Sequence, residues 1–444
     1  METPICDFVR AYTQSNVLRL HMPGHKGSTF LGMEALDITE IDGADSLYEA
    51  NGIIARSEAN AGKLFGCKTL YSTEGSSHCI RAMLYLVRLY AKQNGKKAKI
   101  AAGRNAHKSF LTAAALLDLE VDWLYPSEHA NYLSCPLTAD DLTAYLKKTE
   151  DMPAAVYLTN PDYLGNLVDI ASIAEVCRQY GILLAVDNAH GAYLKFLPRS
   201  LHPMDLGADL CCDSAHKTLP VLTGGAYLHL SSAFPESITQ QAKTAMAIFG
   251  STSPSYLILQ SLDQANEYLE GYRHTLRQFL EPVNALKKKL ADSGYRLHGL
   301  EPLKLTIAAK PYGYLGTELA AQLLRKGLAA EFSDADYLVL MLTPETGKEG
   351  LRRLETALLE IPSKRPISDT PPALSPARQI LSIREAMLSC SEVIPASESA
   401  GRILAMPTVG CPPAVPIIVC GEQISRHAVR CFEYYGIREC RVVK

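Results

Sequence analysis

Lys217 stands in the run Asp209-Leu-Cys-Cys-Asp-Ser-Ala-His-Lys-Thr-Leu-Pro220, where an apolar strand ends near Asp213 and a loop rich in hydrogen-bond donors follows. In open α/β sheets, ligands bind beyond the carboxyl ends of the strands. A lysine at that edge can form an imine with an aldehyde cofactor once its surroundings let the amine lose its proton. Ser214 and His216 beside it can donate hydrogen bonds to a phosphate. Standing alone, Ser-x-His-Lys also describes an ordinary solvated loop. The run Ile182-Leu-Leu-Ala-Val-Asp-Asn-Ala-His190, one crossover earlier, shifts that balance. It puts Asp187 at the carboxyl end of another buried strand, where a carboxylate can hold the proton of a pyridine nitrogen and keep the ring a strong electron sink. One such aspartate alone reads equally as a helix cap. A strand-end acid followed by a strand-end lysine is much harder to reach by chance.

Two further runs hold suitable residue types. Tyr71-Ser-Thr-Glu-Gly-Ser-Ser-His-Cys-Ile80 leads into an apolar helix, which sets Gly75, Ser76 and Ser77 at a helix N-terminus. Outward N–H groups and two hydroxyls there make an anion site, and the same residues serve plain helix capping. Gly103-Arg-Asn-Ala-His-Lys-Ser109 follows a short strand, and its His107 can stack flat on an aromatic ring. Periodicity gives that histidine no special status.

Holding these residues takes alternating strands and helices. Apolar runs at 99–102, 155–159, 182–187, 209–213 and 225–230 are bounded by turn residues, with helical patterns at 78–93, 109–117, 139–148 and 170–180 between several of them. This alternation predicts an α/β fold, a largely parallel sheet with helices on both faces. From 255 to 292 the period is helical, and Pro282 is expected to interrupt it. A smaller αβ region follows, with strands at 303–309 and 337–342 around a helix at 317–326. The proline-rich passage 361–376 reads as a linker, and 377–444 holds a helix, a proline-rich segment and a strand-like end. At 444 residues the chain needs more than one core.

Composition narrows the function. A formal charge of -3 offers no broad attraction for nucleic acid or an anionic membrane. Apolar stretches such as Val415–Cys420 are far too short to span a bilayer, and the first residues lack the basic and apolar regions of a secretory leader; a cytoplasmic protein is expected. The twelve cysteines are scattered without a CxxC pair, so buried reduced thiols are expected rather than a metal site.

Taken in order, these motifs closely resemble the Orn/Lys/Arg decarboxylases, fold-type I enzymes that use pyridoxal 5'-phosphate. The resemblance extends through Leu20-His-Met-Pro-Gly-His-Lys-Gly27, Asp37-Ile-Thr-Glu40, Gly75-Ser-Ser77, Arg104-Asn-Ala-His-Lys-Ser109, Asp187-Asn-Ala-His-Gly-Ala192, Ser214-Ala-His-Lys-Thr-Leu-Pro220, Thr252-Ser-Pro-Ser-Tyr256 and Gly401-Arg-Ile-Leu-Ala405. It implies a mainly parallel, seven-stranded-type sheet with smaller αβ domains behind it, divided as 1–265 (arm and cofactor domain), 266–365 (small domain) and 366–444 (C-terminal domain). It also implies the short form of the family, without an N-terminal wing. By the same resemblance, Lys217 carries the cofactor and Asp187 faces the ring nitrogen. His107 and Ala189 pack on the two ring faces. Gly75, Ser76, Ser77, Ser214 and His216 hold the phosphate. Lys217 or His216 returns a proton to Cα. His190 and Glu422 fall on the substrate side, Glu422 as the acid for a distal cation. The implied reaction turns arginine, lysine or ornithine into an amine and CO2. The implied assembly is a homodimer or larger, with active sites at the interface and 251–255 reaching the partner's phosphate.

The sequence also departs from the family pattern. Glu74 and His78 stand in the phosphate loop, Asn188 follows Asp187, and Cys411 and Ala414 lie in Gly410-Cys-Pro-Pro-Ala-Val-Pro416. Other activities share the same cofactor residues, an aminotransferase or another lyase among them. An aminotransferase would clamp the substrate carboxylate with an arginine, for which Arg352 and Arg402 are the candidates. A non-catalytic regulator of polyamine supply is the remaining alternative.

Overall fold

The computed structural model describes residues 1–125, 131–373, 375–407 and 413–444. Its strands are β1 (Lys68–Ser72), β2 (Lys99–Gly103), β3 (Glu120–Leu124), β4 (Ala155–Thr159), β5 (Leu183–Asp187), β6 (Leu210–Asp213) and β7 (Ala226–Leu230), followed by β8 (Arg296–His298), β9 (Lys304–Ala308), β10 (Phe332–Ser333), β11 (Tyr337–Met341), β12 (Ser391–Pro395) and β13 (Glu439–Val443). The chain forms two compact units, Met1–Lys96 with Cys177–Leu276, and Lys97–Val176 with Arg277–Lys444.

In the first unit the strand order is β1-β7-β6-β5. β5 and β6 run parallel, and β7 is antiparallel to both of its neighbours. Every residue of β5 is buried, as its continuous apolar sequence requires of a strand covered on both faces. The helix Gly75–Gln93 buries Cys79, Ala82, Met83, Leu86 and Val87. This stripe of helical period packs on β6 and β7 and so fixes where the helix N-terminus points.

In the second unit β2 pairs in parallel with β3 and β4. The seven strands of the expected α/β fold are all present, four in one unit and three in the other. β1 and β3 were not among the strands expected. Glu120 and Asp122 break the apolar run of β3, which a strand paired on one side tolerates. The smaller αβ region is an antiparallel sheet, β10-β11-β9-β8, with the helix Gly316–Arg325 packed on β11. The C-terminal region pairs β12 with β13. Leu404, Ile418, Phe432 and Val442 share one apolar cluster with Leu133, Leu164 and Val339.

One expectation is corrected. The long helical stretch breaks at Gly271, not at Pro282, giving helices Tyr256–Glu270 and Tyr272–Asp292 with Pro282 inside the second. Leu276, Phe279, Val283, Leu286 and Leu290 form a buried stripe on both sides of the proline, and that burial outweighs the one hydrogen bond a proline removes.

Candidate active site

In the first unit, Asp187 closes β5 opposite Cys212 of β6. It is buried, and its Oδ1 accepts the Ala189 N–H at 3.2 Å and the Cys212 thiol at 3.6 Å. Lys217 lies four residues beyond the end of β6, in the short helix Ala215–Thr218. Its Nζ is 2.9 Å from Nε2 of His190. Two runs read separately in the sequence therefore meet through a lysine and a histidine.

The residues expected to hold a phosphate lie in the same unit. Ser214 Oγ donates to Ser76 Oγ at 2.7 Å, which joins the loop after β6 to the first turn of the helix Gly75–Gln93. Gly75, at φ +73°, donates its N–H to the Gly224 carbonyl at 2.7 Å. Gly224 itself sits at φ +102°, and a Cβ there would lie 2.7 Å from the Thr73 carbonyl oxygen. Only glycine allows so close an approach. His216 Nδ1 lies 2.9 Å from the Gly225 carbonyl oxygen, to which it can donate.

An imine-forming amine, a buried acid, paired hydroxyls and a helix N-terminus are the donor set that pyridoxal phosphate requires. Buried polar atoms on the same loops, Asn188 Oδ1 and Thr218 Oγ1, have no hydrogen-bond partner among the described residues. The residues present fit the cofactor.

His107 and Glu422 belong to the second unit. His107 caps the helix Lys108–Leu117, its Nδ1 accepting the Ser109 N–H at 3.1 Å and meeting Ser109 Oγ at 2.9 Å. Glu422 is buried, and its Oε2 accepts the Val419 N–H at 2.8 Å and Arg104 Nη2 at 3.3 Å. Burial raises the Glu422 pKa, with the Arg104 charge opposing it. Arg104, which the sequence left without a role, also donates to the Pro416 and Ile417 carbonyls at 3.1 and 2.8 Å. The Lys108 N–H meets the Ala414 carbonyl at 2.8 Å. The loop bearing His107 is thus tied twice to the segment that ends in Glu422. Of the run Gly410–Pro416, residues 410–412, Cys411 among them, lie outside the described residues.

The departures from the family pattern have local partners. Glu74 Oε1 accepts the Ser251 N–H at 2.6 Å and so caps the loop 251–255. His78 is buried, donates from Nε2 to the Met246 carbonyl at 2.7 Å, and lies 2.8 Å from Ser72 Oγ through Nδ1; burial lowers its pKa. Asn188 Nδ2 donates to Asp213 Oδ1 at 2.6 Å. The two arginines considered for an aminotransferase are held by neighbouring acids, Arg352 by Glu349 at 2.6 Å and Arg402 by Glu392 at 2.7 Å.

Comparison with known proteins agrees with this geometry. The family model for the Orn/Lys/Arg decarboxylase major domain matches residues 3–310. The protein YaaO of Bacillus subtilis strain 168 is 29% identical, with 97% of this chain and 93% of that protein aligned. The arginine decarboxylase of the same strain is 28% identical, over 96% of this chain and 92% of that enzyme. The crystal structure of a Francisella novicida lysine decarboxylase superposes with a TM-score of 0.79 at 17% identity, over 100% of this chain and 81% of that one, a likeness of fold. The chain belongs to the Orn/Lys/Arg decarboxylase family: it is a pyridoxal-phosphate-dependent amino-acid decarboxylase on the fold-type I α/β scaffold.

Proposed function

We propose that the substrate is arginine, lysine or ornithine, converted to the corresponding amine and CO2, and that Lys217 and Asp187 are the residues on which the reaction turns. The observation carrying this reading is the convergence of an imine-forming lysine, a strand-end acid and two serine hydroxyls at one edge of the first unit. When bound, pyridoxal phosphate supplies an electron sink for the pair released from the Cα–carboxylate bond.

The chain's own groups have separate tasks. Ser76, Ser77 and Ser214 hold the phosphate at the N-terminus of the helix Gly75–Gln93, while the Gly75 N–H, donated to the Gly224 carbonyl, shapes the turn rather than binding the anion. The imidazole of His216, turned to Gly225, braces that loop. Asp187 keeps a proton on the ring nitrogen, its Oδ1 fixed by Ala189 N–H and the Cys212 thiol. His190 Nε2 accepts a proton from Lys217 Nζ, leaving the amine free to bond and later to return a proton to Cα. His107, its Nδ1 turned to Ser109, offers a flat ring to one cofactor face, and Ala189 offers a methyl to the other.

Glu422 meets the substrate's distal cation. Among the described residues both of its side-chain bonds fall on Oε2, so Oε1 is the oxygen that would receive an ammonium or guanidinium. We further assign the functional regions as 1–265, 266–365 and 366–444, and a homodimer whose sites lie at the interface. Large apolar side chains along 17–36, among them Leu18, Leu20, Phe30 and Leu31, are well exposed and suit burial by a second copy. Among the described residues every cysteine is free and no helix is long and apolar enough to cross a membrane, in keeping with a cytoplasmic enzyme.

Incubation of the purified, cofactor-loaded protein with a panel of amino acids, scored for CO2 and amine, tests the substrate class. Release from a basic amino acid is expected. Keto acid without CO2, or turnover of apolar amino acids alone, overturns the reading.

A further inference from the structure

Behind the strand ends lies a group of buried side chains that decarboxylation does not itself employ. Asp213, the last residue of β6, has Oδ2 between two imidazoles, 3.0 Å from His202 Nε2 and 3.1 Å from His229 Nε2. All three residues are 0% exposed. Asp213 Oδ1 accepts from Asn188 Nδ2 at 2.6 Å and from the Cys211 thiol at 3.7 Å. The far nitrogen of His229, Nδ1, lies 2.9 Å from Thr69 Oγ1 and 3.6 Å from Cys67 Sγ. The Phe65 ring covers both imidazoles, with centroids at 4.6 and 5.5 Å.

Burial alone would push the Asp213 carboxyl up, but His202 and His229 together hold it well below the usual carboxylate range. Burial likewise works against a charged His229, yet Cys67 and Asp213 raise it to about 9. His202, desolvated, is shifted down. The group therefore favours a carboxylate on Asp213, with His229 the imidazole favoured to carry a proton over His202. Well-packed apolar side chains would fill such a space at lower cost than buried charges. A cluster of this kind survives in a core when its geometry serves something else.

Its place in the chain says what that is. Asp213 immediately precedes Ser214 and stands four residues before Lys217, while Asn188 immediately follows Asp187. The Asn188 N–H also bonds the Cys212 carbonyl at 2.9 Å. The side-chain hydrogen bond from Asn188 to Asp213 thus joins the ends of two adjacent strands, beside the longer Cys212–Asp187 contact, one strand leading to the lysine and the other ending in the acid of the site.

We propose that Asp213, clamped by His202 and His229, is a positioning residue that sets Asp187 relative to Lys217 through Asn188. The proposal rests on the roles given above to Lys217 and Asp187. Neither His202 nor His229 touches substrate; both act by fixing the orientation of one carboxylate, whose second oxygen is then held for Asn188.

The test uses the full chain, loaded with pyridoxal phosphate and stripped of it. Asn188→Ala cuts the link and leaves the Asp213 ion pair in place. It should lower kcat at least tenfold with KM within twofold, weaken pyridoxal-phosphate binding to the stripped protein by about as much, and move the pH midpoint of the loaded enzyme's near-visible band. Asp213→Asn, which removes the carboxylate that His202 and His229 clamp, should move that midpoint as well. The proposal is overturned if Asn188→Ala changes only the melting temperature. It is overturned also if the purified protein carries a tightly held metal ion that Asp213→Asn releases, since ligand atoms of His202, Cys211 and Asp213 lie within 4.8 Å of one another. Lys217→Ala separates the two claims: a near-visible band that survives in it defeats the assignment of the lysine, whatever Asn188 does.

Discussion

Two buried acids, one in each unit, answer the same problem with opposite chemistry. Asp213 is met by two histidines, which can gain or lose a proton near neutrality. Glu422 is met by the Arg104 guanidinium and by a backbone N–H. The outcomes differ in sign, Asp213 being held below the usual carboxylate range and Glu422 raised above it. One arginine at 3.3 Å does not offset full burial, whereas two imidazoles at 3.0 and 3.1 Å do. Sensitivity to mildly alkaline pH therefore belongs to the cluster behind the lysine, while the Arg104–Glu422 pair acts as a fixed structural tie.

The largest expected effect lies in the first unit. Lys217→Ala removes the amine proposed to bond the cofactor and should lower kcat by about 10⁴-fold while the fold, judged by circular dichroism, stays intact. Retention of activity within tenfold would place the imine elsewhere. Asp187→Asn, which cannot keep the ring nitrogen charged, should cost about 10³-fold in kcat. An effect confined to KM would deny it that task.

The second unit should answer in stability first. Glu422→Ala leaves the Arg104 guanidinium buried without its acid and should destabilise the protein by about 3 kcal/mol, read from denaturant unfolding of the stripped protein. Glu422→Gln retains the shape and one acceptor, so its loss should be smaller. If it also raises KM for a basic amino acid while sparing kcat, the pair has a second task at the substrate. Unchanged stability in both variants would reduce the contact with Arg104 to proximity.

The two units also differed in how far they could be read from sequence. The places of Asp187, Ser214 and Lys217 at or just beyond strand ends were legible because each is reached through an apolar strand, and strand ends are where such sheets bind ligands. Which side chains meet was not legible. Lys217 touches His190 across 27 residues, and Ser214 touches Ser76 across 138. No local pattern encodes such separations. The Asp213 cluster was hidden for the same reason, since His202, His229 and Cys67 come from three segments and look singly like ordinary core residues. In the second unit Glu422 could be named from its position, but its pairing with Arg104, 318 residues away, could not. Gly271 and Pro282 show the limit for helices. A proline in a long apolar stripe reads as the break, yet the stripe holds the helix through it and the chain parts at glycine instead.

The smallest effect sharpens the contrast most. A histidine whose pKa rises from about 6.5 in the unfolded chain to about 9 in the folded one adds stability that is fully present below about 6.5 and is lost as pH climbs through 9. His202 and Asp213, both shifted down, lose their contributions in the other direction, as pH falls. Glu422, shifted up, gives up its share as pH rises above the usual carboxylate range. Between pH 6.5 and 9.5 the Asp213 cluster should contribute a downward slope in melting temperature through His229. Other groups titrate in that window too, so the quantity to measure is the difference between variants of the stripped protein. His229→Gln should flatten the slope. Equal slopes in that variant and the wild type would mean that His229 is not the imidazolium facing Asp213, and the contrast between the two buried acids would fall with it.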